Sequence, residues 1–70
     1  MTREEIERQI TVQLADGKWR TAENLRKQFD RDHADTFWGA MSNLYKTKVI
    51  ERAFDVYGVT IYRLANANRG

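Results

Sequence analysis

The apolar residues of this chain change period once, at Val49. Before it they recur at helical spacing: Ile6, Ile10 and Leu14, then Ala22, Leu25 and Phe29, then Phe37, Ala40, Met41 and Leu44. After it, residues 49–54 and 59–64 are rich in β-branched and aromatic side chains, and Asp55-Val56-Tyr57-Gly58 separates them. The pattern predicts an α+β domain of three helices followed by a two-stranded hairpin. A hairpin alone is marginal, so this one must pack on the helices.

Capping signals set the helix bounds. Thr2 and Glu5 have capping-box spacing, in which each side chain satisfies the other residue's free backbone N–H. Gly17 stands where a helix C-cap glycine would sit, which predicts a first helix of about four turns. Lys18-Trp19-Arg20 reads as an extended link, with Trp19 as a lid on the core. Thr21 caps a second, two-turn helix over 22–29, and Asp30-Arg31-Asp32-His33 breaks it. Asp32 is then the expected cap of a third helix over 33–47, with Asp35 favourable in its first turn. A four-residue hairpin loop, 55–58, pairs Phe54 with Val59, Arg52 with Ile61 and Ile50 with Arg63. Val49, Ile50, Tyr62 and Leu64, at the hairpin base, should complete the core.

Seventy residues hold one domain, taken as 1–65 with a short polar tail over 66–70. There is no cysteine, hence no disulfide and no thiolate metal site, and the single histidine, His33, cannot make a zinc site by itself. No apolar run reaches the length of a membrane span, and Met1-Thr2-Arg3-Glu4-Glu5 lacks the apolar stretch of a signal peptide, so the expected compartment is the cytoplasm. Catalysis has no evident machinery. No serine or cysteine has a histidine base assigned to it, and Gly17, Gly39, Gly58 and Gly70 stand alone instead of forming a phosphate loop. The expectation is a protein that is not an enzyme and takes no cofactor, metal or small-molecule ligand. Charge is unevenly placed: residues 1–16 carry two basic and four acidic side chains, whereas the rest carries ten basic and six acidic. An acidic first helix before a basic body fits a scaffold behind a polyanion-binding face.

The element order, together with Leu44-Tyr45-Lys46-Thr47-Lys48-Val49-Ile50-Glu51-Arg52 and the Tyr62-Arg63-Leu64 ending, resembles the winged helix-turn-helix superfamily of small bacterial, phage or plasmid DNA-binding regulators. The likeness spans about residues 2–65. It departs from the family pattern at Lys48, where a glycine is usual. The resemblance implies a transcriptional regulator or phage or plasmid accessory factor that inserts helix 33–47 in the major groove of double-stranded DNA.

On that reading the base contacts fall to Thr36, Gly39, Ser42, Asn43 and Lys46: hydroxyls and an amide can pair with base edges, Lys46 can reach guanine, and Gly39 permits close backbone approach. Phosphate contacts fall to Lys18, Arg20, Thr21, Arg26, Lys27, Arg31, Arg52 and Arg63. Arg26 and Lys27 adjoin in sequence and cannot both face one surface. Two features point elsewhere. The hairpin tip carries Asp55 and no Lys or Arg, and its apolar residues Phe54, Tyr57 and Val59 suit a protein contact, such as a homodimer seam. Trp38 and Tyr45 share a flank of the third helix and either pack against the first helix or anchor a partner. The rival expectation is therefore a winged helix used as a protein-interaction module or inhibitor, without DNA binding.

Overall fold

A computed structural model describes residues 2–65, and the expected tail over 66–70 lies outside them. The order is α1 (Arg3–Gln13), β1 (Arg20–Thr21), α2 (Ala22–Arg26), a 3-10 turn (Arg31–His33), α3 (Ala34–Lys46), β2 (Ile50–Phe54) and β3 (Thr60–Leu64). This is a small α+β domain with three helices and a three-stranded antiparallel sheet of order β1-β3-β2.

Thr2 caps α1 by accepting from the Glu5 N–H through Oγ1 at 3.2 Å. The reciprocal half of the capping box is replaced: the Glu5 carboxylate accepts from the Thr2 hydroxyl at 3.4 Å. Ile6, Ile10 and Leu14 form its fully buried stripe. The helix is three turns long, not four, because Leu14 is already its C-cap. Gly17, with φ 76°, closes the turn that follows by donating to the Leu14 carbonyl, and so directs the chain into the sheet. α2 is shorter than its apolar spacing predicts. After Arg26 the backbone tightens into three-residue turns, with Gln28 donating to Leu25 and Phe29 to Arg26. Phe29 still reaches the core from this turn and packs on Phe37, ring centroids 5.7 Å apart.

Asp32 does not cap α3. His33 donates to the Asp30 carbonyl, so the chain is already turning through Asp32, which lacks the extended backbone an N-cap needs. At its other end α3 stops with the two hydrogen bonds of a Schellman motif, Lys48 N–H to Tyr45 and Val49 N–H to Leu44. Lys48 takes the left-handed conformation, φ 64°, that a glycine would adopt at lower cost.

The hairpin register differs by one residue from the sequence-based expectation. Ile50 pairs with Leu64, Arg52 with Tyr62 and Phe54 with Thr60. The cause lies in Asp55. Its carboxylate accepts from the backbone N–H groups of Tyr57 and Val59, while Gly58, φ 80°, donates to the Asp55 carbonyl. The connection is thus a three-residue loop with a glycine bulge, not a four-residue loop. One residue of slip exchanges the faces of the returning strand. Ile50, Arg52, Phe54, Thr60, Tyr62 and Leu64 now share the helix side, whereas Glu51, Ala53, Ile61 and Arg63 share the outer side.

A third strand joins the expected two. Arg20 pairs with Tyr62 and Thr21 with Ile61, so the extended link covers the free edge of β3. The buried core comprises Ile6, Ile10, Leu14, Leu25, Phe37, Ala40, Met41, Leu44 and Ile50, with Val49, Tyr62 and Leu64 packed against it as expected of the hairpin base. Each large aliphatic or aromatic side chain in it is worth roughly 1.5–3 kcal/mol of burial. Among the described residues no helix is long and apolar enough to cross a membrane.

Candidate nucleic-acid interface

α3 divides its circumference among three neighbours. Phe37, Ala40, Met41 and Leu44 face the core. Asn43 lies on the flank toward α1, and Thr36 shares that side at helical spacing. There the Asn43 amide nitrogen is 3.3 and 3.2 Å from the two carboxylate oxygens of Glu7, which also pairs with Arg3 at 3.1 Å. Asn43 therefore ties two helices together, and the amide that would read adenine is occupied. Thr36 is half-buried. Asp35, Gly39, Ser42 and Lys46 form the outward face and are exposed.

Gly39 sits in the middle of this face. A Cβ built there meets nothing within 4 Å. A glycine inside a helix costs about 0.5–1 kcal/mol relative to alanine, and among the described residues no contact requires one here.

Trp38 and Tyr45 occupy the flank on the sheet side, not the α1 side. They line a groove with Ser42, Arg52 and Tyr62. The Arg52 guanidinium lies over the Tyr45 ring, 4.5 Å from its centroid, and approaches its hydroxyl at 3.4 Å. A neighbouring groove brings Lys46, Lys48 and Arg52 together around Ile50 and Tyr45, with Glu51 on its rim. Lys48 was not among the sequence-derived contacts. The signal for it was present, because a non-glycine residue at a helix-ending left-handed position projects its side chain away from the helix it terminates.

The remaining cations separate into engaged and unengaged groups. Arg20 donates to the Gln13 carbonyl at 3.2 Å and pairs with Asp16. The Asp16 carboxyl is held below its ordinary value of 3.8, chiefly by the Lys18 backbone N–H and then by Arg20. Arg63 lies over the Trp19 ring at 4.5 Å and pairs with Glu51. Trp19 is thus a platform for Arg63, still partly exposed, and not a lid on the core. Thr21 spends its hydroxyl oxygen as the α2 cap, accepting from Asn24 at 3.1 Å. Lys18, Lys27 and Arg31 are exposed and Arg26 is half-buried; among the described residues none of the four has an ion-pair partner.

The hairpin tip is of opposite character. Phe54 is 67 % exposed, Val56 91 % and Tyr57 87 %, with Val59 also exposed. No cation lies between Phe54 and Val59, and the Asp55 carboxylate is turned into the loop. Among the described residues no group of three or more His, Asp or Glu side chains could hold a metal ion. Neither a protein-family model, nor a curated protein, nor a solved structure matches this chain.

Proposed function

We propose that the chain is a winged helix-turn-helix domain that binds double-stranded DNA by laying the Gly39–Ser42–Lys46 face of α3 in the major groove. The observation that carries this reading is Gly39. A helix-interior glycine that its own protein does not need is explained by an outside surface that approaches the backbone closely. Ser42 and Lys46, three and seven residues on, supply hydrogen-bonding groups suited to base edges. Lys46, Lys48 and Arg52 gather at the C-terminal end of that face, where they can hold phosphate and fix the register of the helix. The order helix, strand, two helices and hairpin also agrees with the architecture in which the later helix of the pair enters the groove. In this account Asn43 supports α3 from behind, and Arg20 and Arg63 brace the sheet.

Selection from random-sequence duplexes tests the proposal. A defined motif should emerge, and Ser42→Ala and Lys46→Ala should relax it at particular positions. Gly39→Ala should stabilise the fold by about 0.5–1 kcal/mol yet weaken duplex binding. Recovery of no motif, or a Gly39→Ala variant that binds as well as the parent, defeats the reading.

A second reading, a protein-interaction module or inhibitor without DNA binding, is favoured by one observation: the exposed apolar hairpin tip. Binding through such a surface is insensitive to salt, whereas duplex binding is not.

A further inference from the structure

We propose that the groove between α3 and the sheet, bordered by Trp38, Ser42, Tyr45, Arg52 and Tyr62, takes up one unpaired nucleobase of the bound DNA, stacked on the Trp38 indole. The inference rests on the duplex-binding reading and names the form of duplex preferred: one with an unpaired nucleotide beside the contacted bases. Trp38 is 48 % exposed, although a ring of this size contributes far more to a fold when covered. Phe37 packs against it with 5.1 Å between centroids and 77° between ring planes. In a near-perpendicular pair at most one face of the indole is taken, which leaves the other for a ligand. Tyr45, the second aromatic of this flank, is not free in the same way, because the Arg52 guanidinium already lies over its ring.

Position, size and charge select the occupant. Gly39, where α3 admits the closest approach, directly follows Trp38, and Ser42 belongs both to the outward face of α3 and to the groove. A strand laid along that face therefore passes beside the indole. At about 220 Å³ the groove is smaller than the roughly 300–1,000 Å³ of sites for drug-sized ligands. It suits a single base and not a helix of a partner protein. A base paired within the duplex has both faces covered by its neighbours, whereas an unpaired one offers a face for stacking and a free edge for the Ser42 and Tyr62 hydroxyls. Trp38 and Tyr62 also border a second groove, whose one charged residue is Glu23, and a phosphodiester is repelled there. The groove that holds Arg52 instead adjoins, through Tyr45 and Arg52, the one that holds Lys46 and Lys48. The phosphate of the displaced nucleotide finds its counter-charge on that side.

Fluorescence anisotropy of the full chain with labelled duplexes of one sequence tests the inference. One duplex is fully paired, and the others carry a single extra, unpaired thymidine moved stepwise through the site. At a favoured position the unpaired thymidine should tighten binding about tenfold, within the range for one base stacked on an aromatic side chain. Trp38→Leu should remove that gain, and Trp38→Phe, which keeps a ring, should retain part of it. In a Trp19→Phe chain, where Trp38 is the one indole left, the favoured duplex should quench its emission more than the paired duplex does. Equal affinity for paired and bulged duplexes at every position overturns the inference and leaves the duplex-binding reading standing. A gain that survives Trp38→Leu overturns it as well. Absence of binding to every duplex defeats the duplex-binding reading itself, and this inference with it.

Discussion

Phe37 on α3 and Phe54 on β2 belong to the same residue class and meet opposite fates: one is completely buried, the other two-thirds exposed. The difference follows from what lies beneath each. α3 is packed along α1 and closed at its end by Ile50, so every apolar residue on its inner stripe finds a neighbour. The hairpin joins that core at its base, through Ile50, Tyr62 and Leu64, whereas the side chains of Phe54, Val56 and Tyr57 at its far end stand out in solvent. Apolar residues thus serve folding at one end of the molecule and remain available for contact at the other. The polar surface divides in a parallel way. On α3 it offers small side chains and a cation-rich end, whereas at the hairpin tip the one charged group is spent on the turn.

The sharpest break of this comparison is a pair of truncations. Phe37→Ala should cost about 3–5 kcal/mol in denaturant unfolding, enough to unfold a domain of this size, while Phe54→Ala should stay within about 0.5 kcal/mol of the parent. Comparable losses at the two sites would mean that the hairpin tip packs on the core. Next in size is Lys46→Ala, expected to cost roughly 1–3 kcal/mol of duplex affinity while leaving stability unchanged. Asn43→Ala should do the reverse. It should lose about 1 kcal/mol of stability through the broken Glu7 bond and leave the selected sequence motif as it was. Lys48→Gly should raise stability by about 1 kcal/mol by relieving the left-handed backbone, at the expense of one cation in the groove.

The smallest effect concerns Asp16. Its carboxyl is depressed in the folded chain, so its contribution is complete above pH 3.8 and is lost as pH falls through the lower folded value. Asp16→Asn should remove that part of the acid sensitivity, seen as a flatter stability profile below pH 4 or so in pH-dependent melts.

Much of the fold was legible because helical stripes and caps are local signals. Ile6, Ile10 and Leu14, the Thr2 and Thr21 caps, and the four inner residues of α3 needed no tertiary knowledge. The hairpin register was not legible in the same way. It turned on whether the Asp55 side chain would bond to Tyr57 and Val59, and either loop length is compatible with the sequence. β1 was hidden for a related reason: two residues carry no period, and their pairing depends on the edge that β3 leaves open. At the candidate site, residue type showed that Asn43 could read a base but not that Glu7 stands opposite it 36 positions away. Arg20 and Arg63 looked free for the same reason, since Gln13, Trp19 and Glu51 come near them only in three dimensions.

The central claim is that the outward face of α3, with the cations at its end, holds DNA. The salt dependence of duplex affinity measures it most directly. Each neutralised phosphate contributes a slope of about −0.9 in log affinity against log salt, so Lys46, Lys48 and Arg52 together predict a slope near −3. Replacing all three with alanine should remove most of that slope. An affinity that is flat between about 50 and 200 mM salt, or a slope that survives the triple replacement, would contradict the account.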